Sequence, residues 1–365
     1  MTSYLYYNDD TLCAAGKNLE CGDLSPLLPL WRLVAKAGSR SAARESWTPF
    51  HIRRRQVACR KRGQVRALQS GCGSAALRPS VVQKVRFTFP VLELSAHLQK
   101  HLPKENTFEW ILNCEGKVYR HVKHRRTVEV EIGGRRYFIK AHRACGWREV
   151  LKDWFQLRPP IVSARTEWEA IERVQRLGIP TTTVAGKGER GRAPASVESF
   201  LITEALEGMI HLEDLTRDWG GLKGRRQKLL KRALLERIAR MARTLHEAGL
   251  NHRDFYLAHF LIKNRPWQDW QPCEPLELFL IDLHRVQIRD RVPARWLVKD
   301  LGGLLFSALN CGLTWRDVFR FIERYRGRPW RESLATESGL WRRVWRNAAG
   351  LYWQVHRQPP PLGPP

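Results

Sequence analysis

The sequence predicts an α+β fold in two lobes, a small antiparallel β lobe that contains one helix and a larger helical lobe. Three observations predict this division. Short β-rich runs fill most of residues 108–142, one amphipathic helix and a further strand follow them, and long helical patterns dominate from residue 229 onwards. Strands that come first and helices that come later are typical of the α+β class.

Four runs make up the β-rich part, namely FEWILNC, KVYRHVK, TVEVEIGG and RYFIKAH, which begin at residues 108, 117, 127 and 136. From Thr127 to Ile132, polar and apolar side chains alternate, as they do in a half-buried strand. The pair Gly133 and Gly134 is a hairpin signal. We therefore predict an antiparallel meander whose last strand is closed by Lys140.

Helical periodicity then takes over. In residues 165–180, Trp168, Ile171 and Val174 share one face, and glycine and proline end the pattern. Residues 199–206 are predicted to form a further strand. The strongest helix covers residues 229–250 and carries an apolar stripe that consists of Leu230, Leu234, Ile238, Met241 and Leu245.

The last part of the chain is predicted to be one strand and three helices. Residues 276–282, LELFLID, have the character of a buried strand with Asp282 at its end. Helical patterns follow at residues 297–309, 314–325 and 340–356, and Thr314 with Asp317 gives the second of them a capping-box start.

Charge is the unusual bulk property of this protein. Lys and Arg total 63 against 36 Asp and Glu, which gives a net charge of +27. Such a charge attracts nucleic acid, anionic lipid headgroups or phosphorylated sugars, although the excess of arginine can also reflect a GC-rich genome and simple solubility. No two of the eight cysteines are spaced CxxC, and no apolar run is long enough to span a membrane. We therefore expect a cytoplasmic protein without a disulfide framework or a zinc site.

Four segments are expected along the chain. Residues 1–85 are basic and rich in Ser, Ala and Gly, and we interpret them as a disordered extension or as a gene-model artefact. Residues 86–206 are predicted to form the first lobe and residues 207–357 the second. Residues 358–365 are a proline-rich tail.

Phosphoryl transfer requires a cation for the phosphates, carboxylates for Mg²⁺ and a base for the acceptor hydroxyl. Four residues that can supply these groups occur along the chain in the order found in kinases. Lys140 lies on a strand, and Glu167 on the next helix can pair with it. Asp254, in the HRD tripeptide after the long helix, is the candidate base, and Asp282 is the candidate Mg²⁺ ligand. Each residue alone is an ordinary surface or capping residue, so the prediction depends on the order of the set.

Two motifs in the second lobe, NHRDFYLAHFL and IDLHRVQIR, resemble those of the bacterial lipopolysaccharide core heptose kinases in the Kdo/WaaP group. The runs GKVYRHVKHRRTVEVEIGGRRYFIKAH and ARTEWEAIERVQRLGIPT are similar to that family's first lobe. The resemblance covers about residues 110–330. It implies a protein-kinase-like two-lobed fold and ATP- and Mg²⁺-dependent phosphorylation of a heptose hydroxyl on the inner core.

The resemblance also implies residue roles. Asp254 matches the catalytic aspartate, Lys140 the lysine that contacts the phosphates, Glu167 its helix partner and Asp282 the metal-binding aspartate. Asp300 resembles the buried helix aspartate that braces the catalytic loop, or it is an ordinary acid on a helix surface.

His259 stands where protein-kinase loops place a metal-binding asparagine, five residues after the aspartate. A neutral imidazole there can bind the metal, can hydrogen-bond a phosphate or Asp254, or can pack and support the loop. Imidazole matches Mg²⁺ less well than an amide oxygen does. His259 is therefore a candidate metal ligand with these alternatives open.

A cluster of arginines follows the metal aspartate, and we predict that it binds an anionic acceptor. Its members are Arg285, Arg289, Arg291 and Arg295. A cationic patch suits the inner core of lipopolysaccharide, which is dense in carboxylates and phosphates, although a solvated charged stretch would look the same. The expected partners are this core acceptor and the cytoplasmic face of the inner membrane, without specific nucleic acid, and no protein partner is assigned.

Two alternatives stay open at the level of sequence. One is a kinase of the same group that acts on a Kdo sugar or on a protein hydroxyl. The other is a basic nucleic-acid-binding protein with an inactive kinase fold, although no recognised nucleic-acid-binding module occurs in the chain.

Overall fold

A computed structural model describes residues 90–122, 124–147, 163–217, 224–265, 269–270 and 275–364. These residues belong to one compact unit, Phe87–Pro365. The expected extension of residues 1–85 lies outside the described residues.

The first lobe is built on an antiparallel sheet. Its strands are β1 (Val91–Leu94), β2 (Lys117–Val122), β3 (Arg125–Ile132), β4 (Arg135–His142), β5 (Val184–Arg190) and β6 (Glu198–Glu204), in the order β1-β5-β6-β4-β3-β2. The predicted hairpin is confirmed, because Gly133 and Gly134 turn β3 into β4 with φ angles of 57° and 76°. The predicted alternation is confirmed as well, since Val128, Val130 and Ile132 are buried in one core.

Helices accompany this sheet in the part of the chain that the structure describes, and one of them corrects the sequence analysis. The helices are α1 (Ala96–His101), α2 (Thr107–Asn113) and α3 (Arg165–Arg176). We predicted that FEWILNC is a strand, and this prediction is wrong because these residues form α2. Phe108, Ile111 and Leu112 follow helical spacing and pack into the lobe core, so the apolar period of the run outweighs its aromatic and β-branched content.

The strands β1 and β5 and the helix α1 were not predicted. The β5 sequence, VAGKGER, has little apolar alternation. It pairs with β6 nevertheless, and Gly188 leaves room for the Phe200 ring, which a Cβ atom would approach to 2.4 Å. The close packing of an aromatic side chain against a glycine backbone is a tertiary feature that local patterns do not reveal.

The predicted helix α3 is confirmed. Trp168, Ile171 and Val174 are buried, and the helix ends before Gly178, which has a φ of 71°. Most of the polar residues of α3 lie on its exposed or half-buried side, as its amphipathic pattern requires, whereas Glu167 is buried together with the apolar residues.

The second lobe is mainly helical, so the predicted two-lobed α+β fold is confirmed. Its helices are α4 (Leu212–Thr216), α5 (Arg225–Glu247), α6 (Ala294–Ala308), α7 (Trp315–Arg326) and α8 (Trp330–His356). Two small antiparallel sheets complete it, one with the order β10-β9-β7 and one that pairs β11 with β8. These strands are β7 (Met209–His211), β8 (Leu250–Asn251), β9 (Phe260–Lys263), β10 (Phe279–Leu280) and β11 (Gln287–Ile288).

The helix α5 buries the whole predicted stripe from Leu230 to Leu245. Gly249 then turns the chain with a φ of 79°, and a Cβ atom there would lie 1.7 Å from the Arg289 carbonyl oxygen. Only glycine fits this position, where the chain leaves α5 and enters β8 and the loop beyond it. The predicted strand at residues 276–282 is shorter than expected, since only Phe279–Leu280 pairs.

The remaining helices agree with the prediction in place and differ at their ends. Thr314 caps α7 and Asp317 completes the capping box. The last helix, α8, begins ten residues before its predicted start, because residues 330–336 are also helical and are separated from residues 338–356 by the non-helical backbone of Glu337. None of the described helices is long and apolar enough to cross a bilayer.

Candidate active site

The first lobe contributes a lysine–glutamate ion pair. In β4, Tyr137, Ile139 and Ala141 point into the core, so the alternation of the strand turns Lys140 to the other side of the sheet. The Nζ atom of Lys140 lies 2.5 Å from Oε1 of Glu167, in the first turn of α3. A strand and a helix that are fixed by apolar packing thus hold the ammonium group in one direction.

The charged state of Lys140 is favoured. Burial works against the ammonium form, but the carboxylates of Glu167 and Asp282 outweigh burial and raise the pKa of Lys140 above its usual value. Lys140 is therefore a permanent cation at physiological pH. A fixed cation of this kind is what a nucleotide phosphate needs.

Asp282 lies directly opposite Lys140. It follows β10 with a left-handed backbone, at a φ of 62°. Its Oδ1 atom is 3.8 Å from the Nζ atom of Lys140 and accepts a hydrogen bond of 2.6 Å from Nδ1 of His284. Burial would raise the pKa of Asp282, but His284 and Lys140 hold it well below its usual range, so the carboxylate is ionised.

Asp300 of α6 binds the backbone of the loop that contains Asp254. Asp300 is fully buried and accepts hydrogen bonds from the backbone N–H groups of His252, at 2.6 Å, and Arg253, at 2.8 Å. Arg253 has a φ of 75°, which is unfavourable for a residue with a side chain. Two hydrogen bonds to one buried carboxylate keep this backbone in place.

His252 adds a second tether to the loop. Its Nε2 atom lies 3.1 Å from the carbonyl oxygen of Ile281, the residue before Asp282, so the ring donates a hydrogen bond there. Burial and the neighbouring His259 lower the pKa of His252 to about 4, and the ring is neutral at physiological pH. The loop of Asp254 and the loop of Asp282 are therefore joined directly.

Asp254 is bound by an arginine that the sequence analysis assigned to the acceptor. The Nη1 atom of Arg285 lies 3.0 Å and 3.1 Å from the two carboxylate oxygens of Asp254. Arg285 therefore contacts the candidate base itself. From this position, the most direct effect of Arg285 is to orient the Asp254 carboxylate. The binding of the acceptor by Arg285 stays a prediction.

His259 lies between the two candidate aspartates. Its Nδ1 atom is 2.5 Å from the carbonyl oxygen of Asp254, and because a carbonyl only accepts, Nδ1 carries the proton. The Nε2 atom of the neutral ring then presents a lone pair 3.6 Å from Oδ2 of Asp282. A lone pair that faces a carboxylate oxygen at this distance suits a cation between the two.

The other three predicted acceptor residues do not form one patch. Arg289 binds the side-chain oxygens of Asn251 and Gln287. Arg289 and Arg295 lie 5.8 Å and 5.4 Å from the indole ring of Trp296, and Arg253 joins them at 5.1 Å. Arg291 is exposed. The described residues therefore place a group of arginines around one indole, next to the loop of Asp254.

The sequence analysis missed the roles of His284 and His252. Their signals are present in the sequence, since both lie within two residues of a candidate aspartate in the HRD and IDLH strings. Their hydrogen-bond partners, however, depend on how the two loops meet. In the described part of the chain, no three His, Cys, Asp or Glu side chains cluster as a metal site.

The fold and the site together define a class of protein. A β lobe with a lysine–glutamate pair that meets a helical lobe with loop aspartates is the arrangement of protein-kinase-like phosphotransferases.

Comparison with known proteins agrees with this class. Residues 110–325 match the Lipopolysaccharide kinase (Kdo/WaaP) family. The chain is 44% identical over 255 residues to the lipopolysaccharide core heptose(I) kinase WaaP of Pseudomonas aeruginosa. The aligned region covers 68% of this chain and 91% of that protein. It is 40% identical over 250 residues to the protein of the same name from Escherichia coli K12, with coverages of 68% and 92%.

A solved structure, described as WaaP in complex with acyl carrier protein, is also similar. It has a TM-score of 0.60 and 40% sequence identity, and it covers 72% of this chain and 99% of that chain. The chain belongs to the Lipopolysaccharide kinase (Kdo/WaaP) family, and it is a phosphotransferase that acts on a hydroxyl group.

Proposed function

We propose that this protein is an ATP-dependent kinase that phosphorylates a heptose hydroxyl of the lipopolysaccharide inner core. The observation that carries the proposal is the approach of Lys140, Glu167 and Asp282 within one site, in a chain that matches more than nine tenths of two heptose(I) kinases. These side chains come from different elements and are far apart in sequence, so chance proximity is a poor explanation.

The residues have distinct roles in this proposal. Lys140, which Glu167 holds in place, binds the phosphates of the nucleotide. Asp254 accepts the proton of the acceptor hydroxyl while that oxygen forms its bond to the γ-phosphorus and the bond between the γ-phosphorus and the bridging oxygen breaks. Arg285 orients the Asp254 carboxylate toward the acceptor.

Asp282 and His259 are the residues that would hold Mg²⁺. Asp282 fits Mg²⁺ because its carboxylate is ionised, and the Nε2 lone pair of His259 faces its Oδ2 atom, although imidazole is a weaker ligand for Mg²⁺ than an oxygen donor. Mg²⁺ is commonly bound by one or two protein ligands together with water and substrate phosphates, so a closed cluster is not required. When bound, Mg²⁺ would neutralise charge on the β- and γ-phosphates.

Arg289, Arg291 and Arg295 are proposed to bind anionic groups of the acceptor. The support is the position of Arg289 and Arg295 around Trp296, beside Arg253 of the Asp254 loop, the exposure of Arg291, and the neutral partners of Arg289, which are two side-chain amides rather than carboxylates. A guanidinium that is not neutralised by a carboxylate retains its capacity for a phosphate or carboxylate of the substrate.

The choice of acceptor is tested with purified protein and ATP. Three acceptors are compared, namely core oligosaccharide that lacks heptose phosphate, an acceptor that ends in Kdo, and a generic protein substrate. We expect phosphate on the heptose-containing acceptor alone, located by tandem mass spectrometry. Phosphate on Kdo alone, or on protein alone, would replace the proposed acceptor with that alternative.

Peripheral contact with the inner membrane is part of the proposal, and the outer face of α8 supports it. Residues 338–365 contain no Asp or Glu, and Arg342, Arg343, Arg346 and Trp353 are exposed, whereas Trp341 packs inward. Arginines beside one exposed tryptophan suit an anionic lipid surface.

Flotation with vesicles tests this contact. Wild-type protein should float with anionic vesicles and not with zwitterionic ones. Replacement of Arg342, Arg343 and Arg346 by Gln should abolish flotation, whereas the same charge loss at exposed Arg225, Arg226 and Lys228 of α5 should not. Equal flotation of both triple variants would remove α8 from the proposal.

An acyl carrier protein is the proposed protein partner, which the sequence did not assign. The support is the similar structure described as WaaP in complex with acyl carrier protein, of which this chain covers 99%. We expect co-elution of the two proteins after co-expression. Separate elution, with this protein folded and active, would contradict the partnership.

A further inference from the structure

Asp300 has a third hydrogen-bond partner that the candidate catalytic loop does not supply. Its Oδ1 atom accepts from the N–H of Arg253 and its Oδ2 atom accepts from the N–H of His252. The Nε2 atom of His246, near the end of α5, lies 3.3 Å from the same Oδ2 atom. Asp300 is 0 % exposed and His246 is buried, so water cannot replace this contact easily.

His246 is itself held by Tyr325 of α7. Its Nδ1 atom lies 2.8 Å from the hydroxyl oxygen of Tyr325, and the two rings meet edge to face at 5.7 Å. The carboxylate of Asp300 only accepts hydrogen bonds, so Nε2 of His246 carries a proton and donates to it. With the second proton of the ring absent, Nδ1 accepts and the hydroxyl of Tyr325 donates.

These contacts form a directional chain from Tyr325 through His246 and Asp300 to the backbone beside Asp254. Each hydrogen bond fixes the next acceptor, and buried networks of this kind stabilise one arrangement more than the separate bonds would. The backbone they reach includes Arg253, whose φ of 75° needs support from its surroundings. The chain links α5, α6 and α7 to one loop.

We propose that Tyr325 and His246 are positioning residues for phosphoryl transfer. They fix the orientation of the Asp300 carboxylate, and Asp300 in turn fixes the backbone of His252 and Arg253 and so the direction of the Asp254 side chain. This inference rests on the proposed function, and it adds two residues that touch neither nucleotide nor acceptor. Loss of a hydrogen bond from this chain should lower kcat, because a small displacement of a reacting group raises the activation barrier. It should leave the ground-state binding of the substrates unchanged.

The chain offers a closely matched control for Tyr325. Tyr352 of α8 is also 2 % exposed, and its hydroxyl also donates a bond of 2.8 Å, to Oδ1 of Asn310. Tyr325→Phe and Tyr352→Phe therefore remove the same buried hydroxyl from the same lobe. Only the first variant interrupts the path to Asp300.

Steady-state kinetics distinguish a positioning role from a structural one. We expect Tyr325→Phe to lower kcat about tenfold with both KM values within about twofold of wild type, and Tyr352→Phe to keep kcat within about twofold. Thermal stability should fall by similar amounts in both variants. Equal kcat values in the two variants would overturn the proposal.

Substitution of His246 gives a second comparison at one site. Gln keeps an N–H donor near the position of Nε2, whereas Leu has none. We expect His246→Gln to retain at least about threefold more kcat than His246→Leu, since a remaining donor partly orients the carboxylate. Equal losses in the two variants would contradict a hydrogen-bonding role.

Backbone amide chemical shifts test the proposal without any activity measurement. The amides of His252 and Arg253, which donate to Asp300, should shift in Tyr325→Phe and stay in place in Tyr352→Phe. Unmoved amides in Tyr325→Phe would overturn the inference. If the wild-type protein transferred no phosphate to any acceptor, the proposed function would fall, and these shifts would still decide whether the chain of contacts orders the loop.

Discussion

The two lobes position their functional groups in different ways. Lys140 lies on a regular strand, and a short ion pair with Glu167 of a regular helix directs it. Asp254 and Asp282 lie on irregular backbone. Arg253, next to Asp254, has a φ of 75°, Asp282 itself has a φ of 62°, and buried polar contacts hold both loops. The first arrangement depends on apolar packing and the second on a hydrogen-bond network.

This difference has consequences for mutation. A change at Lys140 removes charge from the site and leaves the strand intact, because the core residues of β4 are unaffected. A change at Asp300 leaves buried N–H groups without an acceptor, which costs stability and also displaces the loop. The loss of function should therefore come with a smaller loss of stability in the first lobe than in the second, although Glu167 is buried and loses its partner when Lys140 is replaced.

The largest expected effect concerns Lys140. Lys140→Met should lower kcat/KM for ATP by about 100-fold or more, because a phosphate-binding cation is lost. It should also lower the free energy of unfolding, but by less than Asp300→Asn does, because Lys140 is partly exposed although Glu167, which loses its partner, is buried. Lys187→Met is the matched control, since Lys187 of β5 also pairs with α3, through Glu172 at 2.7 Å, but lies outside the site. A similar loss in both variants would show that strand–helix pairing, and not the site, requires the lysine.

The next effect concerns the buried aspartate. Asp300→Asn should lower kcat by about 100-fold and the free energy of unfolding by about 2–4 kcal/mol. Asp317→Asn removes another buried helix carboxylate, which binds Lys231 at 2.7 Å, and should cost stability without a comparable loss of kcat. Chemical denaturation and kinetics on the two variants measure both quantities. Retained kcat in Asp300→Asn would contradict the comparison between the lobes.

A smaller effect is expected at Arg285. Arg285→Gln should lower kcat about tenfold, because the carboxylate of Asp254 loses its charged partner. Arg295→Gln should instead raise the KM for the acceptor a few-fold and leave kcat almost unchanged. If Arg285→Gln also changed only the acceptor KM, the assignment of Arg285 to the acceptor by sequence would be the better one.

The smallest effect is a dependence of stability on pH in the first lobe. Burial, with Arg125 and Lys140 nearby, lowers the pKa of His142 to about 3 from an unfolded value near 6.5. Above pH 6.5 the residue is neutral in both states. As the pH falls below 6.5, the unfolded chain binds a proton that the folded chain excludes, so stability decreases, by at most about 1.4 kcal/mol per pH unit from this residue.

Urea unfolding at pH 7 and pH 5 measures this contribution. Wild-type protein should lose about 1–2 kcal/mol more than His142→Gln between the two pH values, because the other titrating groups are common to both. Parallel losses would mean that His142 takes up its proton in the folded protein.

Sequence patterns were sufficient for the parts of the molecule that depend on local periodicity. The β3–β4 hairpin, α3, α5 and the cap of α7 follow from alternation, helical spacing and capping residues, and Lys140 and Glu167 lie on two of these elements. The order of Asp254 and Asp282 along the chain was informative because their motifs are short and specific. These features are local, so one sequence suffices for them.

The remaining features depend on contacts between distant residues. Arg285 meets Asp254 across 31 positions, and His246 meets Asp300 across 54. Neither contact has a periodic signal, and each partner alone resembles an ordinary charged residue. The helical state of residues 107–113 was hidden by aromatic and β-branched side chains that normally favour strands.

The central claim is that Asp254 drives transfer of one phosphate to the inner core. Its most direct test is the mass of core oligosaccharide from a strain that lacks the gene and is complemented with wild type, Asp254→Asn or Asp214→Asn. Asp214→Asn is the control, because Asp214 of α4 pairs with Arg217. We expect wild type and Asp214→Asn to restore one phosphate and Asp254→Asn to leave the core without it. A fully phosphorylated core in the Asp254→Asn strain would contradict the account.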